Sequence, residues 1–162
     1  MKLTLDLHVH SDASFDGRMS VRQIALLAKA RGIDGVAICD HDVVYTGPTE
    51  VEGVLIIPGA EFSTEHGHLL ALFLTAPIQH TTWKETVQAI HDQGGITVLA
   101  HPYQNKRSGS LEPFRPILDD IDAVETWNSR ANRKYPHAND NAFILALMRD
   151  KLSTGGSDAH VP

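Results

Sequence analysis

A single cysteine, Cys39, stands among 162 residues, and that scarcity excludes a disulfide framework. Cys39 closes the apolar run "GVAIC", where a free thiol is expected to be buried and inert. Basic residues are also few: Lys and Arg number 14 against 20 Asp and Glu, a formal charge of −6. Such a chain is a poor general binder of nucleic acid or anionic membrane. Carboxylates seated on metal ions can still leave an electropositive face. No apolar run is long enough to span a bilayer. "MKLTLDLH" enters a strand pattern at once, with no room for a signal peptide, so a cytoplasmic protein is expected. Repeats, low-complexity tracts and linkers are lacking too, and one domain over 1–162 is expected. What the chain has in abundance is histidine, 10 in all.

Seven apolar runs have strand length: "LTLDL" (3–7), "GVAIC" (35–39), "GVLIIPGAEF" (53–62), "LLALFL" (69–74), "GITVLA" (95–100), "IDAVET" (121–126) and "LSTGG" (152–156). Helical patterns lie between them, which argues for an α/β fold. Ser20, with Gln23 three later, opens one helix and Gly32 stops it; Thr82, with Glu85, opens a second and Gly94 stops it. Residues 139–151 read as a third helix capped by Asn139 or Asp140, and "EPFRPILDD" as a short one with Pro113 in its first turn. Only six residues, "STEHGH", join the third and fourth runs. A parallel crossover needs a dozen or more, so these two strands are expected to form an antiparallel hairpin.

The polar residues fall on this map in one place. His8 and His10 end the first strand and, two apart, point the same way. His41 follows the second strand, Glu61 ends the third, His101 follows the fifth, Glu125 ends the sixth, and Asp158 and His160 follow the seventh. His68 begins the fourth strand, which runs the other way, so it lands on the same face. That face is the carboxyl end of the parallel strands, where barrel enzymes keep their sites.

Taken singly, a histidine is usually a structural residue. A shell of His, Asp and Glu without a counter-charge, however, is self-repelling and hard to desolvate, and divalent metal ions remove the problem. The candidate ligands are His8, His10, Asp16, His41, Glu61, His68, His101, Asp158 and His160. His68 is preferred to His66 because it adjoins the apolar run. Asp16 is preferred to Asp12 because Gly17 lets its loop fold back. Asp6, Asp40 and Asp42 read as groups that orient the imidazoles or cap loops. His91 reads as a partly buried core residue, and His80 and His137 as surface or capping residues. Imidazole and carboxylate without thiolate suit Zn, Mn or Fe(II). Nine ligands exceed one tetrahedral ion and would serve two or three, a carboxylate bridging a pair.

The ordered set "HVH" with "SFDG", then "CDHD", "GAEFS", "HLLALF", "AHP", "VETWN" and "GSDAH" resembles the polymerase and histidinol phosphatase (PHP) phosphoesterases over nearly the whole chain. The resemblance implies a distorted seven-stranded β/α barrel with a trinuclear metal centre. It implies that His8, His10, Glu61 and Asp158 hold one ion, and that Glu61, as bridge, with His68 and His101 holds the second. Asp16, His41 and His160 would hold the third. Asp16 lies one residue further from His10 than in many family members. A closing helix after the seventh strand is expected, and the sequence ends at Pro162.

Phosphate-ester hydrolysis needs a nucleophile, charge neutralisation and a protonated leaving group; clustered metals supply the first two. Asp16, Glu61 and Asp158 are the catalytic carboxylates expected. Arg130, Lys106 or Arg107 would receive the substrate phosphate, and Trp127 would stack on a nucleobase or pack. A stand-alone hydrolase of small phosphoesters, nucleotides among them, is the expected function. A nuclease or polymerase-associated module acting on polynucleotide ends is the alternative, disfavoured by the net charge. A metal scaffold without catalysis fits poorly because no ligand is missing, and an amidohydrolase because of the terminal "SDAH" pair.

Overall fold

The computed structural model describes residues 2–79, 82–104 and 114–162. Strands and helices alternate: β1 (Leu5–Val9), α1 (Val21–Ala30), β2 (Gly35–Ile38), β3 (Glu50–Val51), β4 (Val54–Thr64), β5 (Gly67–Leu72), α2 (Trp83–Asp92), β6 (Ile96–Leu99), β7 (Ala123–Asn128), α3 (Ser129–Lys134), α4 (Ala138–Met148) and β8 (Leu152–Gly156). Seven strands follow one another round a nearly closed barrel in the order β1-β2-β4-β5-β6-β7-β8, and the two-residue β3 pairs with β4 off this path. The α/β barrel expected from the sequence is therefore present, and β3 is the strand it did not anticipate.

The β4–β5 pair is antiparallel, as the short connection requires. It is tighter than expected: Thr64 pairs with Gly67, leaving Glu65 and His66 as the turn. β5 is also antiparallel to β6, while β6, β7 and β8 run parallel. The β8–β1 gap is bridged by the residues after β8. Asp158 N–H donates to His8 O at 2.8 Å and His10 N–H to Ala159 O at 2.9 Å. Gly156 makes this seam possible, because a Cβ there would lie 2.4 Å from His8 Cβ.

The barrel interior is apolar below the polar face. Ala37, Cys39, Ile57, Leu70, Leu72, Val98, Ala100 and Ala123 form a buried cluster drawn from the strand segments and no helix. Cys39 is fully buried, and burial pushes its thiol pKa far up, so it is inert as expected. Outside the barrel α1 packs Ile24, Ala25 and Ala28 against β1 and β2, and α2 buries Trp83, Val87 and Ile90. Both helices carry complete capping boxes, Ser20 with Gln23 and Thr82 with Glu85. Each such cap is worth about 0.5–2 kcal/mol.

The later helices differ from expectation. α4 spans Ala138–Met148, and His137 holds its N-cap position without a side-chain bond. Asn139 is drawn instead to the barrel, where its Oδ1 accepts from Asn128 N at 3.0 Å. α3 was not anticipated, because only Ala131 is buried and no apolar stripe marks it. It starts where Asn128 Oδ1 accepts from Ala131 N at 2.7 Å. In "EPFRPILDD", residues 114–120 form turns rather than a helix; Pro116 has no N–H to donate, and Glu112 and Pro113 lie outside the described residues. His91 is exposed rather than part of the core and pairs with Asp122 at 3.0 Å. His137 is on the surface, and His80 lies outside the described residues. Among the described residues no helix is long and apolar enough to cross a membrane.

Candidate metal centre

Glu61, near the end of β4, is 1% exposed and meets five imidazoles. Its Oε1 lies 2.8 Å from His68 Nδ1 and 2.8 Å from His101 Nε2. Its Oε2 lies 3.4 Å from His8 Nε2, 3.3 Å from His10 Nε2 and 3.3 Å from His41 Nδ1. Each oxygen thus serves a different set of rings. Asp158 Oδ1 lies 3.4 Å from His10 Nε2 and 3.8 Å from His8 Nε2. Asp16 Oδ2 lies 3.0 Å from His160 Nε2 and 3.7 Å from His41 Nε2. All nine sequence-predicted ligands are gathered on one face.

Their donor atoms form four groups, each within 4.8 Å: His10, Asp16, His41 and His160; His8, Glu61 and His101; His8, His10 and Asp158; His41, Glu61 and His68. Converging imidazole nitrogens and carboxylate oxygens without thiolate fit divalent Zn, Mn or Fe. These groups divide Glu61 differently from the expected ligand sets: it falls with His8 and His101 in one and with His41 and His68 in another, while His8, His10 and Asp158 group without it. Asp16, His41 and His160 do not stand apart, because His10 joins them: its ring centroid is 3.9 Å from that of His160 and 4.6 Å from that of His41. His68 contacts Glu61, whereas His66 sits against the Trp83 ring. Asp12 is exposed and outside every group.

The supporting residues were read only partly. Glu125 Oε1 lies 2.9 Å from His8 Nδ1, and its Oε2 accepts from His101 N at 2.8 Å and from Asn128 Nδ2 at 3.0 Å. Glu125, not Asp6, Asp40 or Asp42, is thus the carboxylate that orients His8. Asp40 accepts from Ser11 N and Oγ, both at 2.6 Å, and Asp42 from Ser63 N at 2.8 Å, so both fix loops. Asp6 accepts from His8 N and Ser157 N, across the barrel seam. Asn128 and Ser14 were missed. Asn128 Nδ2 also donates to Asp158 Oδ2 at 3.3 Å. Ser14 Oγ donates to Asp16 Oδ1 at 3.0 Å and accepts from His41 N at 3.2 Å. The only signal was position, Asn128 in "VETWNS" following Glu125 and Ser14 in "SDASFDG" preceding Asp16.

Three of the six non-glycine residues with positive φ among the described residues lie here. His101 has φ +23°, Asp158 φ +55° and Asp42 φ +57°, all in the left-handed region although none is glycine. Such positions cost on the order of 1–3 kcal/mol each and cluster at functional sites.

The electrostatics hold the carboxylates ionised but divide the imidazoles: burial opposes charge on His10, yet its bonds to Asp158 and Glu61 raise it, and the bond to Glu61 raises His68. Burial pushes the Glu61 carboxyl up, but His8 and the bonds from His10, His101 and His68 outweigh it and hold it well below the usual range. The Asp158 carboxyl is lowered in the same way, burial being outweighed by His10, His8 and His101. Burial lowers His41 and His160, which keeps their nitrogens free to coordinate. His8 is raised: burial opposes its charge, and Glu125 and Glu61 outweigh that. A proton there must leave when an ion binds.

Arg130, on α3, is half exposed, with Nη1 3.5 Å from Asp158 Oδ1 and 3.0 Å from His160 Nε2. It lines a cleft of about 350 Å³ together with Phe15, Asp16, His41, His68 and Lys134. Lys106 and Arg107, the other expected phosphate-binding cations, lie outside the described residues. Trp127 is exposed on β7 and does not line this cleft.

Residues 6–107 match the model of the PHP domain family. An uncharacterized protein of Methanocaldococcus jannaschii is 34% identical over 143 residues, covering 76% of this chain and 81% of that protein. A 5′–3′ exoribonuclease of Haemophilus influenzae is 42% identical over 147 residues, 87% of this chain but 44% of the enzyme. A two-domain protein from Bacteroides vulgatus, described as containing a predicted PHP-like metal-dependent phosphoesterase, superimposes with a TM-score of 0.77 at 20% identity. The match covers 98% of this chain and 52% of that one, which shows a shared fold.

Proposed function

Because this chain belongs to the PHP domain family, we propose that it is a cytoplasmic, metal-dependent phosphoesterase that hydrolyses small phosphate esters, with residues 1–162 acting as one domain. The observation that carries this reading is the pair of Glu61 oxygens, each facing its own set of imidazoles. A carboxylate has two oxygens and can join two ions, which imidazole does not do in this setting. His8, His10 and Asp158 would hold one ion with Glu61, and His68 and His101 a second. Asp16, His41 and His160, with His10 beside them, would hold a third. When bound, two to three such ions acidify a water and neutralise charge on the phosphoryl oxygens.

The chain's own groups supply the rest. Glu125 locks the His8 ring by accepting at Nδ1, leaving Nε2 for the centre. Asn128 ties Glu125 to Asp158 and, as the cap of α3, sets where Arg130 stands. Arg130 offers a guanidinium at the mouth of the cleft, suited to a non-bridging phosphate oxygen. The three carboxylates Asp16, Glu61 and Asp158 fix the charge that the cations offset.

A second reading, a nuclease acting on polynucleotide ends, has the similarity to the exoribonuclease in its favour. The formal charge of −6 weighs against a long polyanion. Assaying phosphomonoesters, phosphodiesters and short oligonucleotides with Mn, Zn and Fe separates the two. Turnover of monoesters alone supports the first reading, turnover of oligonucleotides alone supports the second, and no turnover with any metal overturns both.

A further inference from the structure

Phe15 is 86% exposed, the most exposed large apolar side chain described, yet it lies between two residues of the candidate centre. Its loop is not loose. Ser14 N–H donates to Ser11 O at 3.1 Å, Gly17 N–H donates to Ser14 O at 3.2 Å, and His41 N donates to Ser14 Oγ at 3.2 Å. A Cβ at Gly17 would fall 1.9 Å from Ser11 O, so the turn is also closed sterically. A clamped loop therefore holds the ring out into solvent. The ring stacks on the imidazole of His41, centroids 5.1 Å apart and planes at 28°, and leaves its other face open.

Phe15 also lines the cleft of about 350 Å³ that holds Asp16, His41, Arg130 and Lys134. Its volume lies within the range of small-molecule sites. Apolar and cationic groups are brought together within one opening. His160 joins Asp16 to Arg130, lying 3.0 Å from each. Rigid aromatic faces recognise flat rings by stacking, with little dependence on the ring's edge.

We infer that Phe15, backed by His41, is a stacking platform for the leaving group, and that the preferred substrates are phosphate esters carrying a flat ring, a nucleoside or a simple aryl group. This rests on the phosphoesterase reading. The phosphate would lie over the ligand cluster beside Arg130 while the ring covers Phe15. Glycerol phosphate, with no ring, would leave the platform wet.

The test compares wild type, Phe15→Ala and Phe15→Trp, with metal content measured for each. kcat/KM is taken for adenosine 5′-monophosphate, phenyl phosphate and glycerol 2-phosphate, and binding of adenosine 5′-monophosphate is measured by calorimetry. In Phe15→Ala the preference for adenosine 5′-monophosphate over glycerol 2-phosphate should fall about tenfold, the size of one lost stack, with nucleotide binding weakened in parallel. Phe15→Trp should restore both. Loss confined to the nucleotide marks a nucleoside site, and loss shared by phenyl phosphate marks an aryl site. An equal loss for all three esters makes Phe15 only a cover for His41 and overturns the inference, as does nucleotide binding that is absent or indifferent to Phe15. If no ester is hydrolysed, the phosphoesterase reading fails, while calorimetry still decides for or against the platform.

Discussion

Gly156 approaches His8 so closely that a Cβ on it would lie 2.4 Å from His8 Cβ and 2.8 Å from His8 N. This contact joins the last strand of the barrel to the first and sets the position of a proposed ligand. Gly156→Ala must push the seam apart, and overpacking of this kind costs about 1–3 kcal/mol. Gly155→Ala meets Trp127 Cβ at 3.3 Å, on an exposed side chain, and should cost less. Thermal unfolding should show the larger drop for Gly156→Ala, accompanied by lower metal content. Equal drops would mean that the seam yields freely.

Glu61 is the group whose loss should be felt most widely. Glu61→Gln keeps the shape but removes the charge facing His8, His10, His41, His68 and His101. His68→Ala removes one ring at the rim, a third exposed, and leaves the carboxylate in place. Metal content and phosphatase rate should fall further in Glu61→Gln, the rate on the order of 10²-fold or more, about 2.7 kcal/mol of transition-state stabilisation. Equal metal loss in the two variants would contradict the bridging role.

Asp122 gives a pH dependence away from the centre. Its Oδ2 accepts from Thr97 N at 2.9 Å and Thr97 Oγ1 at 2.7 Å and lies 3.0 Å from His91 Nε2. Partial burial pushes its carboxyl up, but the Thr97 bonds and His91 outweigh this and hold it below the usual value. A carboxyl depressed by folding adds stability that is fully present above the unfolded pKa, roughly 3.9 for Asp. That stability is lost as pH falls through the lower, folded value. Asp122→Asn should therefore be less stable than wild type at pH 7, and the gap should narrow as pH falls below about 4. A gap that stays constant down to pH 2 would refute the assignment.

The fold and most of the site were legible because strand ends announce themselves. His8, Glu61, His101 and Asp158 each close an apolar run, and parallel topology carries such ends to one face. The unread parts depend on packing across the barrel. α3 buries only Ala131, so no periodicity marks it, and Asn128 starts it from the end of β7. The two residues of β3 register only as partners of β4. Glu125 could be placed beside the site, but its choice of His8 over other rings depends on how β8 spaces β7 from β1. Asp40 and Asp42 flank His41 in sequence, yet they turn to the backbone N–H groups of Ser11 and of Ser63 in β4. Phe15 gave no warning at all, since exposure of an apolar residue leaves no mark in a sequence.

Asp16 makes the sharpest test of the third ion. It is the one carboxylate in the group with His10, His41 and His160, and its loop must be held closed by Ser14 to present it. His10 also faces Asp158 at 3.4 Å, so the third position borrows a ring already engaged elsewhere. Its affinity should then depend heavily on Asp16. Asp16→Asn keeps the size and removes the charge that offsets the ion. Elemental analysis should find the variant about one ion per chain poorer than wild type, with the Glu61 pair retained and the rate down on the order of 10²-fold. Asp12→Asn alters an exposed residue whose side chain joins none of the groups, and should change neither. If Asp12→Asn strips the ion and Asp16→Asn does not, the loop closes differently from the way Ser14 holds it here. If neither variant loses an ion, His10 belongs to the pair alone, and the centre holds two ions with Asp16 and His160 left to bind protons instead.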